Sequence, residues 1–114
     1  MNSLLGQYEI ELEDDGRLRL PPRFAAILTP RLVAWLTPYR AIRVASRDEA
    51  LEAVAEHGFL HVQVDLGSDG YLPIPADLAR DAGLTADALV IGMGRFFEIW
   101  SREEYAIFSQ EHLR

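Results

Sequence analysis

The chain has 114 residues, of which 49% are apolar and 25% charged, with no cysteine and a formal charge of −7. That balance describes one folded soluble domain and excludes disordered and fibrous classes, while the absence of cysteine excludes disulfides and thiolate chemistry. No window approaches about eighteen consecutive apolar residues, and Met1-Asn2-Ser3-Leu4-Leu5-Gly6 has neither a basic flank nor a long apolar run. Neither a membrane span nor a signal peptide is therefore expected, and the cytoplasm is the expected location.

In chain order, Tyr8, Ile10 and Leu12 alternate with Glu9, Glu11 and Glu13, a period of two that predicts a half-buried strand. Asp15-Gly16 follows as a tight-turn signal of type I′. A return strand carries Leu18 and Leu20 on one face, and Pro22 opens a short helix through Leu28. A second hairpin pairs Leu32–Leu36 with Ala41–Ala45 across Thr37-Pro38-Tyr39-Arg40. Ser46 then caps a helix with Glu49 three residues on, a capping box, and this helix runs from Arg47 to about Glu56 and stops at Gly58.

The same signals then recur. Val62, Val64 and Leu66 alternate with Gln63 and Asp65, and Asp69-Gly70 turns the chain into Leu72 and Ile74. Pro75 precedes a helix over Ala76–Ala82 with Gly83 as its stop, Ala88–Met93 pairs with Phe96–Trp100 across Gly94-Arg95, and Ser101 with Glu104 opens a last helix from Arg102 to about His112. Setting Leu12 over Leu66 gives six identities in the fourteen positions from 12 to 25. Two copies are too few for a solenoid and predict instead a pseudo-symmetric pair, one chain imitating a homodimer.

The charge is unevenly spread. Seven of the eleven arginines (17, 19, 23, 31, 40, 43 and 47) fall in a stretch without Asp or Glu, whereas 58–114 carries nine acids against four arginines. Such asymmetry points to a polyanion-binding face, or to arginines dispersed over the folded surface. Metal ligands would have to come from His57, His61, His112 and carboxylates, and Gly58 interrupts the helix that the His57/His61 spacing requires. No metal or other cofactor is expected. Nor is an enzyme, since there is no Gly-rich phosphate loop, no nucleophile elbow and no His–acid pair, and Gly92-Met93-Gly94 lacks the third glycine of a dinucleotide site.

The run from Gly6 to Phe24, with Gly16-Arg17-Leu18-Arg19-Leu20-Pro21 at its centre, resembles the opening of the MraZ family, relatives of the SpoVT/AbrB regulators. Asp69-Gly70, Leu72-Pro73-Ile74-Pro75, Ala82-Gly83-Leu84, Leu89-Val90-Ile91-Gly92 and Glu98-Ile99-Trp100 carry the resemblance through the second half. It implies an α+β fold in which a first repeat, 1–57, and a second, 58–114, form one compact pseudo-dimeric domain, a swapped-hairpin β-barrel with short flanking helices. It further implies a homo-oligomeric, ring-forming, nucleoid-associated transcriptional regulator that binds repeated boxes of double-stranded DNA. The family's DNA-reading signature is an Asp, three residues, then an Arg, once per repeat, so a glutamate in the acid position keeps the charge without the identity. The first copy has Glu13 and Arg17 there; the second has Gly67 and Tyr71, so the signature is gone.

A guanidinium beside a tight turn presents a planar fork to a phosphate or to guanine O6 and N7. Arg17 is placed for this, Glu13 across the turn is placed to orient the fork, Arg19 shares its strand face, and Arg23 lies in the first turn of the following helix. The DNA-contact set is thus Arg17, Arg19, Arg23 and Glu13. The competing view is that Glu13 and Arg17 form an ordinary cross-strand surface pair worth under about 1 kcal/mol. Two other functions fit the residues: a degenerate relative that keeps the assembly but binds a protein or mixes with a DNA-binding homologue, and the antitoxin half of a toxin pair. Tyr71 either stacks on a nucleotide or fills space left by the missing arginine.

Overall fold

In the computed structural model, which describes residues 3–51 and 61–112, each half builds strand, strand, helix, strand, strand, helix. The first half comprises β1 (Leu4–Glu11), β2 (Arg17–Arg19), α1 (Pro22–Ile27), β3 (Arg31–Leu36), β4 (Ile42–Ser46) and α2, described over 47–51. The second comprises β5 (His61–Asp65), β6 (Tyr71–Pro73), α3 (Ala76–Asp81), β7 (Asp87–Gly94), β8 (Phe96–Ser101) and α4 (Arg102–His112). The expected end of the first terminal helix, at Glu56 to Gly58, and His57 lie outside the described residues.

The halves interleave rather than stand side by side. The main sheet is antiparallel in the order β1-β7-β8-β4-β3-β5, so β1 adds to the second half's hairpin and β5 to the first half's. The expected closed barrel is not found. The six-strand ladder is open, with β1 and β5 at its two ends, while β2 and β6 pair separately as a two-stranded ribbon. The core lies between ribbon and sheet: Leu18 and Leu72 from the ribbon join Ile42, Val44, Phe97 and Ile99 from β4 and β8, all fully buried. Phe24 of α1 closes it, edge-on to Tyr8 at 5.4 Å and 5.7 Å from Phe97. Each such side chain contributes roughly 1.5–3 kcal/mol by leaving water.

The registers place a pseudo-two-fold axis. Positions 54 or 55 apart in sequence stand opposite one another in space, as Leu18 faces Leu72 in the ribbon and Arg43 faces Glu98 in the sheet. On the other face of the sheet, Trp35, Ala45, Ala50, Val33 and Phe96 form a cluster under α2, and Ile91, Trp100, Tyr105, Leu89 and Ala41 form its counterpart under α4. The large residues have changed places. Trp35 sits where the second copy has Ile91, and Trp100 and Tyr105 sit where the first has Ala45 and Ala50. The two clusters thus differ in where their bulk lies, and the one under α4 is the larger.

One local expectation changes. Asp15-Gly16 and Asp69-Gly70 are not type I′ turns, because among the described residues Arg40 alone of the non-glycines has positive φ. Instead Gly16 N–H donates to the Glu13 carbonyl at 2.9 Å and Glu13 N–H to the Arg17 carbonyl at 2.8 Å, with Gly16 at φ 84°; Gly67, Gly70 and Tyr71 repeat the pattern with Gly70 at 85°. This is a three-residue loop whose last residue must be left-handed. β2 keeps a single bridge to the β1 side, Leu12 to Leu18, and otherwise pairs with β6. In α4, Tyr105 and Phe108 pack on Trp100 while Ile107 is 53% exposed.

The capping expectation holds in part. Ser101 Oγ accepts from Glu104 N–H at 3.3 Å, as an N-cap should, but the Glu104 carboxylate turns to Arg40 at 3.5 Å rather than back to the cap.

Candidate nucleic-acid interface

Because Leu18 and Leu72 point into the core, the alternation of a strand turns Arg17, Arg19, Tyr71 and Pro73 to the outside of the ribbon. Arg17 stands opposite Pro73 and Arg19 opposite Tyr71. The four project from two adjacent strands on one surface, beside the two Asp-Gly loops.

Arg17 is the most constrained of them. Its Nε donates to Asp15 Oδ2 at 2.8 Å, its backbone N–H donates to Asp15 Oδ1 at 3.1 Å, Nη1 lies 3.8 Å from Asp69 Oδ2, and Cζ stands 4.7 Å from the centre of the Tyr71 ring. The backbone and side-chain donors of Arg17 hold the Asp15 carboxyl below its ordinary range, and Asp15 in turn raises Arg17 above its own. Both groups are exposed, so the pair sets geometry more than stability. A guanidinium has five N–H donors. With Nε committed to Asp15, the Nη1/Nη2 edge, the one that engages guanine or phosphate bidentately, faces away from that partner.

The acid that meets the Arg17 guanidinium is Asp15, not Glu13. Glu13 lies at the start of the loop, and its Oε1 accepts from the Tyr71 hydroxyl at 3.3 Å. Asp15 wins because its short side chain caps the turn and meets Nε in the same geometry, an Asx-type arrangement repeated where Asp69 Oδ1 accepts from Tyr71 N–H at 3.1 Å. Arg19 shares the ribbon face, 6.0 Å from the Tyr71 ring. Arg23 is exposed at the start of α1, which has six residues and no side-chain cap, too short to add much helix-terminal field.

The arginine-rich window does not form one patch. Arg43 is taken into the sheet, where Nη2 and Nε reach Glu98 Oε2 at 2.8 and 3.1 Å, and Arg40 reaches Glu104 and the Asp81 carbonyl. The buried group around Glu98 also includes the Tyr39 hydroxyl, donating at 2.6 Å, and Trp100 Nε1 at 3.2 Å. Burial, followed by the hydrogen bond to Glu98, raises the Tyr39 phenol. The structure, not the charge run, therefore selects Arg17 and Arg19 for the ribbon face. Tyr71 and Asp69, which the sequence did not single out as site residues, belong to the same cluster. The signal for them was their alignment with Arg17 and Asp15.

Among the described residues no group of three or more His, Asp or Glu is placed to hold a metal ion, and no helix is long and apolar enough to cross a membrane.

Comparison with known proteins agrees with the first-half and second-half motifs. A family profile described as "MraZ protein, putative antitoxin-like" matches residues 61–114. Proteins named "Transcriptional regulator MraZ" align along nearly the whole chain. The one from Saccharopolyspora erythraea is 31% identical over 95% of this chain and 87% of its own. That of Kocuria rhizophila is 32% identical over 94% and 87%, and that of Mycobacterium ulcerans 31% over 95% and 87%. With 31–32% identity over 94–95% of its length to these proteins, the chain belongs to the MraZ family.

Proposed function

We propose that this protein is a DNA-binding transcriptional regulator, not an enzyme, that contacts duplex DNA through the first half's hairpin, with Arg17 on a base edge or phosphate and Arg19 and Arg23 on the backbone. The observation that carries this reading is the fixed Arg17 fork on an exposed two-stranded ribbon, its Nε end held by Asp15 and its Nη1/Nη2 edge turned away from Asp15, with Nη1 3.8 Å from Asp69 Oδ2. A β-ribbon fits the major groove, about 12 Å wide. The names of the relatives support a regulator. The exchange of β1 and β5 between halves supports two SpoVT/AbrB-like repeats, 1–57 and 58–114, joined as a swapped-hairpin pseudo-dimer. As a bacterial regulator it would act in the cytoplasm on the nucleoid, as a homo-oligomer spanning repeated boxes.

A gel-shift titration on the duplex upstream of its own coding sequence, at two salt concentrations, tests this. Arg17→Ala is expected to weaken binding about tenfold or more and to lower the log–log salt slope by about one if the contact is to phosphate. Binding that survives the substitution unchanged would overturn the reading.

A second reading rests on the acids around the same loops, Glu13, Asp14, Asp15 and Asp69 against Arg17 and Arg19. That balance favours a protein partner, or mixed assembly with a DNA-binding homologue. Co-expression with such a homologue and sizing of the products separates the two: purely separate homo-oligomers count against mixing. An antitoxin role would use a free acidic tail, and α4 instead has Tyr105 and Phe108 seated on Trp100.

A further inference from the structure

We infer that the second repeat's hairpin is a clamp for the first repeat's arginine: Tyr71 and Asp69 are positioning residues that hold the Arg17 fork ready for DNA without touching the DNA themselves. The inference rests on the proposed contact through Arg17. In sequence, Tyr71 looks like a lost reader, since it occupies the place of Arg17 in the other copy. In space it does something else. The antiparallel ribbon brings Arg19, not Arg17, directly opposite Tyr71, so the Tyr71 ring lies diagonal to Arg17, within 4.7 Å of its Cζ, and covers one face of the guanidinium. Such a diagonal neighbour is within reach of a long side chain on an aromatic ring.

The rest of the hairpin supports that placement. The Tyr71 hydroxyl donates to Glu13 Oε1 at 3.3 Å, which anchors the ring to the first loop, and Tyr71 N–H donates to Asp69 Oδ1 at 3.1 Å, which turns Asp69 Oδ2 toward Arg17 Nη1 at 3.8 Å. An arginine at position 71 would add a second cation beside Arg17 and Arg19; a tyrosine gives them a π face instead. The guanidinium is restrained from Nε by Asp15, from Nη1 by Asp69 and from one face by Tyr71, so less side-chain freedom remains to be lost on binding.

The test is a double-mutant cycle read by gel shift on the upstream duplex, with a scrambled duplex of equal length as control and thermal unfolding to check each fold. Tyr71→Ala is expected to weaken binding about five- to tenfold with the salt slope unchanged, because no phosphate contact is lost. Tyr71→Phe, which keeps the ring, is expected to stay within about twofold of the parent. In an Arg17→Ala background, Tyr71→Ala is expected to cost nothing further, since a positioning residue has no effect once the residue it positions is gone. Additive losses would mean that Tyr71 meets the DNA directly and would overturn the clamp, as would a Tyr71→Ala protein that binds like the parent while Arg17→Ala does not. If Arg17→Ala itself binds normally, it is the DNA contact through Arg17 that fails, and the clamp falls with it.

Discussion

Replacing Glu98 by alanine is expected to cost about 3–5 kcal/mol of folding stability. Glu98 is 3% exposed and accepts from the Tyr39 hydroxyl, from Nε and Nη2 of Arg43 and from Trp100 Nε1. Alanine strips the Arg43 guanidinium, whose side chain is only 26% exposed, of its counter-charge and leaves two further donors without an acceptor. The cost is of removing one partner, not the worth of the pair. A double variant, Arg43→Met with Glu98→Met, is therefore expected to recover part of the loss, because it no longer buries a charge although the Tyr39 and Trp100 donors stay unpaired. Urea unfolding of the parent, the single variant and the double variant decides it. A single-variant loss under about 1 kcal/mol would show that water reaches Arg43 in solution. The position has a further meaning. Arg43 and Glu98 are equivalent sites of the two copies and face each other on the pseudo-axis. A true homodimer would set like against like there. Carrying both copies in one chain let this position become an ion pair, and Arg43→Glu, which restores likeness, is expected to destabilise at least as much as Glu98→Ala.

Gly92→Ala is expected to destabilise by about 2–4 kcal/mol, through backbone collision rather than lost contact. A Cβ at this position would lie 2.4 Å from the Leu4 carbonyl oxygen, 2.6 Å from its carbon and 2.8 Å from Leu5 nitrogen. No side chain can swing away to make room, so β1 must lift from β7 at the point where Gly6 pairs with Gly92. The damage should be local first: amide exchange at Gln7, Tyr8 and Glu9 in β1 should accelerate before exchange at Val44 in β4 does. Met93→Ala, one residue along and half exposed, should stay within about 0.5 kcal/mol and controls for strand propensity. Parent-like unfolding of Gly92→Ala would mean that β1 approaches β7 less closely than described.

Much of the element order was legible because it is written in local chemistry. Alternating apolar residues, Pro22 and Pro75 opening α1 and α3, Gly83 at φ 70° after α3, and Ser101 at the start of α4 all act within a few residues of themselves. The start of β1 was missed by four residues because Gly6, at φ 112°, interrupts the alternation on which the strand was recognised. The site was half legible. Arg17 and Arg19 stand on the ribbon face as strand alternation implies, but the partner of Arg17 is Asp15, two residues away along the turn, instead of Glu13. Spacing alone does not distinguish the two acids, since either can reach a guanidinium on a flexible loop; the type of turn decides between them.

What the sequence determined by itself was the repetition: two sets of strands and turns, offset by 54 or 55 residues, with Leu18 and Leu72 inward and an arginine on the outer face of the first copy that the second copy lacks. Those features depend on backbone sterics and on which face of a strand is apolar, and both are local. Only the tertiary structure decided which strands pair. β2 leaves β1 for β6, and β1 and β5 cross to the opposite hairpins. That exchange brings Asp69 and Tyr71 to Arg17 and sets Arg43 against Glu98. Neither juxtaposition can be read from spacing, since hydrogen bonding between strands is indifferent to sequence separation and the partner is selected by the burial that the whole fold achieves.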